Sequence, residues 1–210
     1  AVGRRSDHSR EQLYELALNA ARDIIEADGY RALTARNIAD RIGYSAGTLY
    51  NLFENLDDLV VHINGQTLDD MYAELAGAEM GADPGANLRG LLARYLEFIG
   101  TRRDLWALLF EHSLPAGQRA PDWYARKIDK VISVLESALA PSCRETKPAQ
   151  NIPPVIVGEL HGICSLAESR KLDLLTTASA TDMAHTLFDT YLAGLNARRG
   201  ECPTIGQAEF

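Results

Sequence analysis

The fold is decided by Leu33–Leu59, LTARNIADRIGYSAGTLYNLFENLDDL. Ile38, Ala39 and Ile42 recur at helical spacing while Arg36, Asn37, Asp40 and Arg41 take the other face, which predicts a short amphipathic helix with Thr34 as its N-cap. Gly43 must end it, because the residue just past a helix end usually takes a positive φ that glycine tolerates best. Ser45 can then cap a second helix with Thr48 at its third position, and Leu49, Leu52 and Phe53 fall on one inward face.

The small and apolar residues in this stretch each have a steric reason. Ala39 leaves room where the two helices cross, Gly43 makes the turn, and Leu49 is the apolar knob by which the second helix sits on the first. Ala46, Gly47, Tyr50 and Asn51 are left facing outward. An exposed helix start built from small residues can approach base edges closely, and Tyr50 and Asn51 can bond to bases or phosphates. The expectation is a helix-turn-helix whose second helix reads DNA.

The same stretch resembles the DNA-binding domain of the tetracycline-repressor (TetR/AcrR) family of bacterial transcriptional regulators. The run Gly43-Tyr44-Ser45-Ala46-Gly47-Thr48-Leu49-Tyr50, followed by Phe53 and Leu59, is similar to the family's signature. The resemblance implies that Arg36 contacts a guanine and that Thr34 and Thr48 contact phosphates. It places Tyr44, Ser45, Ala46 and Gly47, with Tyr50 and Asn51, on the floor of the major groove. Two positions depart from the pattern: Leu52 stands where the family often has histidine, and Leu56 where it usually has a phosphate-binding lysine. The second departure implies a weaker phosphate grip with the base-reading surface retained.

At 210 residues, 46% of them hydrophobic, the chain can hold a small module and one larger domain. The expected division is a DNA-binding domain over residues 1–55 and a helical ligand-binding and dimerisation domain over residues 56–210. No run of eighteen apolar residues occurs and the first ten residues, AVGRRSDHSR, have no apolar core, so a cytoplasmic protein is expected. The formal net charge of -8 runs against phosphate binding. Its distribution softens the objection, because residues 1–56 hold seven arginines against eight acidic residues and the rest of the excess acid lies further on. Arg4, Arg5 and Arg10 form a basic arm, which either follows the DNA backbone or minor groove or remains a solvated tail. Arg31, Arg36 and Arg41 surround the helix-turn-helix, and the acidic remainder suppresses non-specific binding.

Along the chain, residues 10–28 read as a first helix with Ser9 as N-cap, packed behind the helix-turn-helix. Asn55 can cap a long helix that runs to about Met80, with Asp57 and Asp58 in its first turn where the helix dipole favours them. Further helices are expected from Leu88 to Thr101, from Asp104 towards Pro115, over 122–140, from about Pro154 to Ser169 and from about Thr181 to Arg198. No alternating strand pattern appears, so the fold class is all-α. The last two helices carry wide apolar faces, including Val155, Leu160, Ile163, Leu187, Phe188, Tyr191 and Leu195, with small residues Gly158, Gly162, Ala193 and Gly194 between them. A four-helix bundle made from two copies satisfies both features. The resemblance implies the same homodimer interface, and Leu160-His161-Gly162 is similar to a subgroup with a Trp-His-Gly signature, although Leu160 stands in place of the tryptophan. Dimerisation also suits DNA reading, since one short recognition helix specifies few base pairs and two-fold pairing makes the site a near-palindrome.

Other chemistry is weakly signalled. His161, Cys164 and Glu168 lie on successive turns of one helix, which reads either as packing or as part of a metal or nucleophile site too small to stand alone. Cys143, Cys164 and Cys202 are far apart without a CxxC pair, and read as reduced thiols or as a redox sensor. No phosphate loop, HExxH or GxSxG sequence occurs, and neither a metal nor a cofactor is expected. Tyr95, Phe98, Trp106, Phe110, His112, Trp123 and His161 are either ordinary core or the lining of an effector pocket, which the resemblance places among the helices of the C-terminal domain. As a set they suit a small apolar or aromatic molecule. The reading is a non-enzymatic, ligand-released repressor that binds operator DNA as a homodimer, with an activator of the same fold, or a helical small-molecule-binding protein or enzyme, as alternatives.

Overall fold

The computed structural model describes residues 8–114, 117, 119–140 and 152–200. Among these the chain is all-helical: α1 Arg10–Asp28, α2 Ala35–Ile42, α3 Ala46–Leu49, α4 Leu56–Ala76, α5 Pro84–Thr101, α6 Arg103–Glu111, α7 Asp122–Leu139, α8 Ile152–Glu168 and α9 Ala180–Gly200. The chain divides into two compact units, Ala1–Ala73 with Glu97–Lys130, and Glu74–Leu96 with Val131–Phe210.

The first unit grows from α1. Its start is fixed by a reciprocal capping box, in which the Gln12 N–H donates to Ser9 Oγ at 3.2 Å and the Ser9 N–H donates to Gln12 Oε1 at 2.8 Å. Its apolar stripe, Leu13, Ala17, Leu18, Ala21, Ile24 and Ile25, is buried. Ile38 and Ala39 of α2, Leu49 of α3, and Phe53 pack against that stripe, and Leu59, Val60, Ile63, Leu105 and Leu108 complete the core. Fully burying each large aliphatic side chain contributes about 1.5–3 kcal/mol, so the three-helix module is held by this core and positioned by its caps.

The second unit joins α8 to α9 through a short 3-10 turn, Leu172–Leu174, whose Leu172 is buried while Leu174 and Leu175 are exposed. In the same unit the buried Asn87 side chain ties three backbone groups together: Oδ1 accepts from the Gly81 N–H at 2.7 Å, and Nδ2 donates to the carbonyls of Gly81 and Ala138 at 3.0 and 3.2 Å. A buried amide with this many partners is fully compensated and fixes the α4–α5 connection against α7.

Three boundaries differ from expectation. α3 is four residues long, because Gly47, Thr48, Tyr50 and Asn51 are all weak helix formers, and beyond Leu49 the N–H groups of Asn51 and Leu52 donate to carbonyls only three residues back. α4 stops at Ala76, just before Gly77, instead of reaching Met80. α8 starts at Ile152, with Pro153 and Pro154 in its first turn, where a missing N–H costs nothing. Cys143, Cys202, Arg4 and Arg5 lie outside the described residues.

Candidate nucleic-acid interface

The outward face of α2 and α3 is assembled from local devices. Thr34 caps α2 as expected, with Oγ1 accepting from the Asn37 N–H at 3.1 Å, and the Asn37 amide reaches back to the Ala32 carbonyl at 2.8 Å. An accepting Thr34 hydroxyl keeps its own O–H available to donate outward. Gly43 adopts φ 77°, ψ 28°, the left-handed conformation that the turn demands. Ser45 stands at the N-cap of α3 but does not bond a backbone N–H; its Oγ lies 3.0 Å from Thr48 Oγ1. The hydroxyls of Ser45 and Thr48 are therefore paired side by side at the start of α3.

Every residue assigned to DNA contact is at least partly exposed. Thr34, Arg36, Ser45, Gly47, Tyr50 and Asn51 are exposed, and Tyr44, Ala46 and Thr48 are half-buried. Tyr50 keeps 57% of its surface open, unusual for a tyrosine flanked by the buried Leu49. The Arg36 guanidinium has only a loose ion pair with Asp40, at 3.7 Å and with both side chains largely in water, so little holds it back from another partner.

Two contacts near this face cannot be read from spacing. His8 Nδ1 lies 2.8 Å from the Tyr44 hydroxyl, and Arg10 donates to the Asn51 carbonyl at 3.4 Å. Both bring the start of α1 against the α2–α3 turn and the residues just after α3. Arg41 pairs with Asp23 of α1 at 3.6 Å, which joins α2 to α1 at the surface.

Residues 17–63, the segment that builds this face, match the family model of bacterial regulatory proteins, tetR family. The helix-turn-helix segment is thus similar to that of bacterial regulatory proteins of the tetR family. Solved structures share the fold of the whole chain. A protein of unknown function from Rhodococcus sp. RHA1 is 23% identical with a TM-score of 0.67, covering 91% of this chain and 98% of its own. The multidrug binding protein EbrR, solved with ethidium, is 25% identical with a TM-score of 0.60, covering 89% of this chain and 98% of its own. The TetR-family regulator PfmR from Thermus thermophilus is 19% identical with a TM-score of 0.56, covering 84% of this chain and 97% of its own. No curated protein matches this chain. No helix among the described residues is long and apolar enough to cross a membrane.

The residues assigned to an effector fall in both units. In the first, Phe98 and Trp106 are buried, and Phe110 is 40% exposed with its ring 5.6 Å from that of Trp106. His112, just past α6, has its Nε2 3.1 Å from Asp57 Oδ1 in the first turn of α4. Trp123 stacks on His62, a partner that sequence reasoning missed. Tyr95 and His161 lie half-buried in the second unit. Burial pushes the Cys164 thiol up to about 11, with Glu168 adding to the shift, so it stays protonated and inert near neutral pH, which suits packing and not redox sensing.

Of the residues assigned to a dimer interface, Leu160 and Phe188 are buried within the unit, Ile163, Leu187 and Tyr191 are half-buried, and Val155 is 45% exposed. The side chain of Leu195 lies outside those described. A Cβ added at Gly158, Gly162 or Gly194 meets no atom within 4 Å, so these glycines leave open backbone on α8 and α9.

Proposed function

We propose that this chain is a cytoplasmic homodimeric repressor that binds a near-palindromic operator and leaves it when a small apolar or aromatic effector binds. The observation that carries the DNA half is the exposed set Thr34, Arg36, Ser45, Thr48, Tyr50 and Asn51 seated on a buried three-helix core. Residues 1–55 are the DNA-binding part, and residues 56–210 hold the effector and the second copy. Arg36 reads a guanine, Thr34 and Thr48 hold phosphates, and Tyr44 to Gly47 with Tyr50 and Asn51 line the major groove.

Pairing through α8 and α9 is supported by the open glycines and the exposed Val155, which let a second copy approach closely. Effector release is supported by the aromatic side chains beyond residue 56 and by EbrR, which was solved with an aromatic ligand, ethidium. Release then follows from geometry: an effector favours a dimer in which a tilted α4 holds the recognition segments at a spacing other than one DNA turn, about 34–36 Å.

The test is paired. The purified protein should sediment as a dimer and bind a selected duplex, and a double variant carrying Arg36→Ala and Tyr50→Ala should lose that binding while keeping its helical signal and its dimer. Retention of duplex binding by the double variant would overturn the assignment of this face.

A further inference from the structure

His62 of α4 sits where four stretches of the first unit meet. Its Nδ1 lies 2.7 Å from the hydroxyl of Tyr14 in α1, and its Nε2 faces Asp58 Oδ1, one turn back in α4, at 3.6 Å. Its ring stacks on Trp123 of α7, with centroids 4.9 Å apart and planes 15° from parallel. Phe53, which follows the recognition segment, meets the imidazole edge at 5.8 Å and stacks on Tyr14 at 5.1 Å. Trp123 fits only because residue 65 is glycine, since a Cβ there would lie 2.6 Å from Trp123 Cζ3.

Asp58 links this cluster to the start of α4. Its carboxylate accepts from the Glu54 N–H at 3.0 Å while its own N–H donates to Asn55 Oδ1 at 2.8 Å, two bonds that cap the start of α4 a few residues after Tyr50 and Asn51. One neutral tautomer satisfies the whole set: Tyr14 donates to Nδ1, and the Nε2–H points at Asp58. A proton on Nδ1 turns that acceptor into a donor, so the Tyr14 hydroxyl must reverse. The imidazolium also attracts Asp58 Oδ1, and so pulls on the carboxylate whose Oδ2 holds the Glu54 N–H. Both changes loosen what fixes Phe53 and the first turn of α4.

We infer that His62 is a positioning residue for the recognition segment, and that taking up a proton there releases the segment from α4 and lowers affinity for DNA. The inference rests on the DNA reading above. The charged and titratable groups around the ring are Tyr14 with Glu15 beside it on α1, Asp58 on α4, and Lys127 on α7. Burial holds His62 below the ordinary histidine range, Asp58 opposes that shift and Lys127 adds to it. A histidine held low favours the packed state while neutral. Its contribution is complete above about pH 6.5 and is lost as the pH falls toward the folded-state value. The direction is diagnostic, because a protein with a net charge of -8 grows less negative on acidification and should otherwise bind phosphate more tightly.

The experiment measures affinity for the duplex recovered by selection at pH 7.5 and 5.5, in a His8→Gln background so that the imidazole beside Tyr44 does not contribute. Affinity should fall at least about fivefold, the low end for two coupled binding events. His62→Asn keeps an acceptor within reach of Tyr14 but takes no proton, and should show no such fall. A flat profile in the His8→Gln protein, or an undiminished fall in a folded His62→Asn protein, would overturn the inference. Proton NMR of the chain without DNA supplies a second readout, in which the ring resonances of Tyr14 and Phe53 should move with the titration of His62. If no duplex is bound at any pH, the DNA reading fails, and this titration alone decides whether His62 controls the packing. Independent titration of the rings would overturn that too, including where His62→Asn does not fold.

Discussion

The outward face of α2–α3 and the outward face of α8–α9 are built on different plans. On the first, hydroxyls and an amide oriented by a cap or a turn stand in water on a buried core beside a loosely paired guanidinium. On the second, open glycines and the half-exposed Val155 lie among exposed polar residues such as Glu159, Asp189 and Thr190, with room for close approach of another backbone. A polar face with fixed donors suits a charged polymer whose groups recur at set distances. Open glycines suit another helix, which gains from close approach of the two backbones.

The contrast can be broken most strongly from beneath. Ile38→Ala removes a side chain with no exposed surface from the core under the recognition face, and should cost about 2–5 kcal/mol in chemical denaturation. Operator binding should then weaken in step with stability. Arg36→Ala acts on the face itself: it should cost about 1–3 kcal/mol of operator affinity, with relaxed preference at one base pair and unchanged stability. Unchanged affinity and base preference would remove Arg36 from the guanine.

On the α8–α9 face, a Cβ at Gly162 meets no atom within 4 Å, so Gly162→Leu starts in open space and its thermal unfolding as a monomer should barely change. A bulky side chain in a helix–helix seam should cost about 1–3 kcal/mol of dimer affinity, read by sedimentation equilibrium. A dimer as tight as the parent would move the interface elsewhere. The smallest effect is expected at Thr34→Ala, where loss of the cap should cost about 1 kcal/mol of stability. A drop in operator affinity beyond that amount would show that the Thr34 hydroxyl also holds a phosphate.

The first plan was legible in the sequence because its devices are local. Thr34 with Asn37, Ser9 with Gln12, and Asn55 with Asp58 are three residues apart, and Gly43 is a single-residue signal. Helix order followed from apolar spacing for the same reason. The length of α3 did not, because apolar spacing alone cannot tell an α-helical turn from the tighter turns that follow Leu49. Contacts between distant stretches were invisible: His8 is 36 residues from Tyr44, and Tyr14 is 48 residues from His62. Trp123 entered the sequence reading as an aromatic that could line a pocket, and nothing local to it signals the glycine at position 65 that seats it. On α8 and α9 the spacing could not separate apolar residues that pack within the unit from those free to face another copy: Leu160 and Phe188, both assigned to an interface, are buried in their own unit.

The most direct measurement is selection of binding sites from a random duplex pool by the purified protein at moderate salt, followed by binding of the recovered site at rising salt. A near-palindrome should emerge with half-sites about one helical turn apart, and Arg36→Ala should relax its preference. Recovery of no motif, with only weak binding that salt abolishes for every duplex alike, would contradict a dimeric regulator that reads DNA through α2 and α3.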